Sequence, residues 1–152
     1  MFPNLRPSTR GLAALAAVVT AGCNFAPEGY QPMEPPPQYR AWFAETEACS
    51  GRAGNFDRLV FHVVEGESFE CPSGRCVGRW NDNHHIYIAS AYVNNELVVR
   101  HEMLHDLLGR PGHPDPPFGN GCPLTWEAWR DAQMSEMPPS GRLAATTPLH
   151  ID

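Results

Sequence analysis

Asn94-Asn95-Glu96-Leu97-Val98-Val99-Arg100-His101-Glu102-Met103-Leu104-His105-Asp106-Leu107-Leu108-Gly109 reads as one capped helix. Asn94 or Asn95 supplies the N-cap oxygen, Glu96 places a carboxylate at the positive end of the helix dipole, and Gly109 ends the helix. Leu97, His101, Leu104, His105 and Leu108 share one face, and Val98 and Val99 widen the apolar side. Within this helix, His101 to His105 spell H-E-x-x-H. Positions i and i+4 sit one turn apart, so His101 and His105 can aim two imidazoles at one zinc ion (Zn2+). Glu102 lies beside them, where a carboxylate can take a proton from water held by the ion. A purely structural metal site has no need of a base there.

The elements around the helix are short. Tyr39 to Cys49 carries Tyr39, Trp42, Phe43 and Thr46 at helical spacing and stops at Ser50-Gly51. Phe56 to Val64 alternates imperfectly and reads as a strand, and Gly66 turns the chain. Ser68 to Cys71 and Cys76 to Trp80 read as two short strands. Asn81-Asp82-Asn83 is a turn, and His84 to Val93 is a further strand leading into the helix. A last helix carries Glu127-Ala128-Trp129-Arg130-Asp131. The expected class is α+β: a short mixed or antiparallel sheet packed on the motif helix, with an N-terminal helix and two disulfides.

The ends of the chain point to export. Arg6 and Arg10 precede an apolar run from Gly11 to Ala21 that is too short for a permanent membrane span. Residues 1–22 are thus expected to be a signal peptide. Thr20-Ala21-Gly22-Cys23 resembles a bacterial lipobox, with Thr20 where that pattern prefers an aliphatic residue. The resemblance implies lipidation at Cys23, and cleavage near Ala21 with secretion is the alternative. Residues 23–38 contain Pro27, Pro32, Pro35, Pro36 and Pro37 and read as an extended tether. Residues 39–152 form the expected domain. Its four cysteines, Cys49, Cys71, Cys76 and Cys122, suggest two disulfides with three possible connectivities. Cys71 to Cys76 looks like a turn closed by its own bridge, which would leave Cys49 with Cys122. The net charge of −6 and the lack of a basic run argue against nucleic acid, and leave the membrane to a lipid anchor alone.

A catalytic zinc site usually has three protein ligands and a position kept for water. Gly109 and Pro111-Gly112 can turn the chain back so that His113 reaches the metal. This is similar to the metzincin arrangement, although Gly109 and His113 come one and two positions later than in that family. Glu127 with Asp131 resembles the second-helix glutamate of gluzincins, and Asp115 is another candidate ligand. Ser135-Glu136-Met137-Pro138 is faintly similar to a metzincin methionine turn, but Met134 and Met137 read as core fillers. His62, His84, His85 and His150 read as structural or exposed, although His84-His85, at a strand entrance, could lie near the site.

The chain as a whole resembles a family of small bacterial lipoproteins. The resemblance rests on Trp42, Glu47 to Gly51, Val99 to Leu108, Gly112-His113-Pro114, Phe118 and Cys122. It implies a zincin-like metallopeptidase of the cell envelope acting on a peptide or protein. From zincin peptidases it also implies that the strand around Ile86 to Ala89 holds extended substrate by backbone pairing. The alternatives are a non-catalytic zinc-binding lipoprotein, or a disulfide-stabilised adhesion domain without metal.

Overall fold

The structure, a computed structural model, describes residues 25–136. Along them run β1 (Gln31–Pro32), α1 (Gln38–Ser50), β2 (Val60–Val64), β3 (Phe69–Cys71), β4 (Gly74–Cys76), β5 (Gly78–Trp80), β6 (His85–Ala89), α2 (Glu96–Leu108) and α3 (Trp126–Glu136). The class is α+β, as expected. The signal segment, Cys23, Met137 and His150 lie outside the described residues.

Two sheets form. The main one is mixed, in the order β1-β2-β6-β5, and β3 and β4 make a separate hairpin. β2 runs parallel to β6, from Val60 opposite His85 to Val64 opposite Ala89. β1 and β5 flank this pair in antiparallel register. One face of the main sheet carries Phe61, Trp80, Ile86 and Ile88 into a core shared with α1 and α2. The other carries Val64, Tyr87 and Ala89 against Phe69, Cys71 and Cys76 of the hairpin. β6 is therefore covered on both faces, which is why His85-Ile-Tyr-Ile-Ala89 shows little polar alternation.

α2 begins and ends where its capping residues require. The Asn95 side chain accepts from the Val98 N–H, and Gly109 takes the left-handed conformation (φ 62°). Every residue from Leu97 to Asp106 is buried, because the sheet, α1 and the segment holding Phe118, Cys122 and Leu124 enclose the helix. α1 closes at Gly51, also left-handed, and buries Tyr39, Phe43 and Thr46. The Tyr39 hydroxyl donates to the Val93 carbonyl just before α2. Arg100 ties the two helices further, bonding Thr46 and Glu45 of α1 and Glu96 one turn back on its own helix.

Several strands are shorter than the sequence pattern suggests. Phe56–Arg58 is a 3-10 turn capped by the Asn55 side chain, so the strand starts at Val60. Ser90–Tyr92 is a second 3-10 turn, so β6 stops at Ala89. Cys76 to Trp80 is two strands, because Cys76 pairs in the hairpin while Gly78 joins the main sheet. The proline-rich segment is extended but docked: Gln31 and Pro32 pair with β2 at the sheet edge, the position where a missing N–H is tolerated. Tyr30 packs edge-on against His62 and Tyr87. The cysteines pair as Cys49–Cys122 and Cys71–Cys76.

Candidate metal centre

The C-terminus of α2 and the loop after it build the site. At Gly109 the N–H bonds the carbonyls of His105 and Asp106, and the chain swings back across the helix end. The next carbonyl, that of Arg110, accepts from Nδ1 of His105 at 3.1 Å. Gly112, at φ 82°, completes the turn and delivers His113. Further on, the Leu124 carbonyl accepts from Nδ1 of His101. Both helix histidines thus carry their proton on Nδ1 and keep the Nε2 lone pair available, the tautomer that ligation through Nε2 requires.

The three Nε2 atoms converge. Nε2 of His101 lies 3.0 Å from Nε2 of His113 and 3.2 Å from Nε2 of His105. One ligand nitrogen from each lies within 4.8 Å of the other two. Tetrahedral ligation at zinc–nitrogen distances of 2.0–2.1 Å would set neighbouring nitrogens about 3.3 Å apart. The donor set, its spacing and its locked tautomers fit a metal ion. Among the described residues this is the only such group of histidine, cysteine or carboxylate side chains.

The rival third ligands are elsewhere. Glu127 is exposed in the first turn of α3. Asp115 is exposed and accepts from the Asn120 N–H. His113 takes the place because the Gly109 and Gly112 turns fold the loop over the end of α2, whereas α3 starts beyond Leu124.

Aromatic groups wall the site. The Phe118 ring lies 4.9 Å from each of the three imidazoles. The Trp80 indole lies nearly parallel to His105 at 6.1 Å. A small cleft of about 100 Å³ opens beside His105 and His113, bounded by Arg79, Trp80, Pro111 and Gly112. Glu102 is fully buried between α2 and β5. The next acidic residue on the helix, Asp106, accepts from the Trp80 indole at 2.9 Å and pairs with His84 Nδ1 at 2.7 Å. His84 is the one non-glycine residue with positive φ (65°) among the described residues. His84 thus lies beside Asp106, the residue that follows His105. His62 and His85 sit on the opposite face of the sheet, away from it.

Sequence reasoning missed Phe118, Trp80, Asp106 and the two carbonyls as parts of the site. A carbonyl has no residue signature, and Trp80 and Phe118 look like any core aromatic. The expected substrate strand is also displaced: β6 is interior, paired on both sides, and the sheet edge beside α2 is β5. In comparisons with protein-family models, curated proteins and solved structures, the chain matches none.

Proposed function

We propose that the chain is a zinc-dependent metallopeptidase of zincin type, exported and held at the bacterial envelope by a lipid on Cys23. The observation that carries this reading is the convergence of three Nε2 atoms with a buried glutamate next in sequence to one of them. A bound zinc ion supplies a Lewis acid that lowers the pKa of water to about 7 and polarises a carbonyl. His101 and His105 would hold the ion through Nε2, each donating an Nδ1–H hydrogen bond to a main-chain carbonyl. Glu102 accepts a proton from the attacking water on a carboxylate oxygen and returns it to the leaving amine nitrogen. Phe118 and Trp80 exclude bulk water, which strengthens each electrostatic interaction in the site.

Extended substrate is best received at β5. The Asn81 N–H bonds the His85 carbonyl and the Ala89 N–H bonds that of Val77, so alternate residues of this stretch face β6. Gly78 and Trp80 therefore turn their main-chain groups to the open edge, beside the cleft. The paired cysteines accord with an oxidising compartment.

A second reading, a non-catalytic zinc-binding lipoprotein, draws support from the complete burial of Glu102. One variant separates the two. Glu102→Gln is expected to keep the zinc content of the wild type and to lower turnover by about 10²-fold or more. Undiminished turnover of labelled casein by Glu102→Gln would remove Glu102 from the chemistry.

A further inference from the structure

Gly78 is the one glycine of β5, at the sheet edge, and its φ lies outside the left-handed region. Any residue could adopt its backbone, and glycine weakens a strand interior. What the position demands is space. A Cβ built on Gly78 would come 2.6 Å from Oε1 of Glu102, 3.1 Å from its Cγ and 3.0 Å from Cγ1 of Val98. No real Cβ sits that close to a carboxylate oxygen, and the neighbours are held: Val98 is fully buried and Glu102 has no exposed surface.

The contact follows from a register between strand and helix. Residues two apart on a strand share a face, as do residues four apart on a helix. Gly78 and Trp80 face α2, and Glu102 and Asp106 face β5. Gly78 lies over Glu102, and Trp80 reaches Asp106 through its indole N–H. The helix carboxylate of each pair is thus matched by what the strand offers: no side chain over Glu102, and a hydrogen-bond donor over Asp106.

We infer that Gly78 is a positioning residue for the Glu102 carboxylate, its missing side chain forming the slot that holds Oε1 against β5. Its catalytic meaning rests on the peptidase reading, but the contact itself does not. The test is a double-mutant cycle of Gly78→Ala and Glu102→Ala in the full exported chain. In metal-free protein, Gly78→Ala is expected to lower the thermal midpoint by about 5 °C or more, and to lower it much less in the Glu102→Ala background, where only the contact with Val98 remains. Equal shifts in both backgrounds would overturn the inference. If Gly78→Ala alone does not fold, recovery of folded protein in the Glu102→Ala background supports the slot, and failure in both overturns it. In zinc-loaded protein, Gly78→Ala is expected to keep the wild-type zinc content while kcat on fluorescein-labelled casein falls about tenfold at unchanged KM. A clear stability coupling in a protein whose Glu102→Gln variant cleaves casein as well as the wild type keeps the slot and removes Glu102 from the chemistry instead.

Discussion

His62 lies with Nε2 2.8 Å from Nδ1 of His85, and the two ring planes are 9° apart at a centroid distance of 5.0 Å. With so short a nitrogen contact, the rings meet edge to edge in one plane rather than face to face. His62 Nδ1 is buried and has no hydrogen-bond partner among the described residues. The tautomer that donates from Nε2 is therefore favoured, since it leaves only a lone pair unsatisfied. Burial and, after it, the neighbouring His85 hold the His62 pKa below its ordinary value. The unfolded chain thus takes up this proton more readily than the folded one. The contribution is fully present above a pH of about 6.5 and is lost as pH falls through the lower folded-state value. With metal removed by chelator, the wild type is expected to lose more stability than His62→Gln between pH 7.5 and 5, as urea titrations would measure. Parallel pH profiles would remove His62 as the source. The sequence marked His62 and His85 as structural or exposed, but not as partners. Their meeting depends on the parallel register of β2 and β6, which no local pattern encodes.

At the level of elements, the Cys49–Cys122 bridge bears on the metal centre as well as on the fold. It fastens α1 to the segment that carries Leu124, whose carbonyl fixes His101. A bridge across a separation of 73 residues stabilises by about 4 kcal/mol in the chain-entropy account. Cys49→Ser/Cys122→Ser is expected to cost about 2–5 kcal/mol in denaturation. Loosening the carbonyl behind His101 is expected to weaken zinc binding about tenfold in competition with a chromophoric chelator. Unchanged zinc affinity would mean that the Leu124 segment holds its place without the bridge. α2 was legible to within a residue, because Asn95, Glu96 and Gly109 act within one turn of its ends. The strands were less so. Whether Cys76 and Gly78 belong to one strand is decided by two different partners, β3 and β6, and not by the sequence between them. β6 was read as a strand, but its interior place in the sheet moved the open edge to β5.

At the scale of the molecule, the two faces of one sheet have different work. The hairpin and the docked proline-rich segment cover one, and the motif helix with its candidate metal centre covers the other. Three histidines were readable as candidate ligands because two share a helix face and the third follows a glycine turn. What surrounds and orients them (the Arg110 and Leu124 carbonyls and the Phe118 ring) comes from chain folding and was not. The account stands on the three nitrogens holding one ion. The most direct test is elemental analysis of the purified full chain and of His113→Ala after incubation with zinc and removal of the excess. The wild type should retain about one zinc ion per chain and His113→Ala little of it. A wild type free of zinc, or a His113→Ala protein that retains as much as the wild type, would contradict the account.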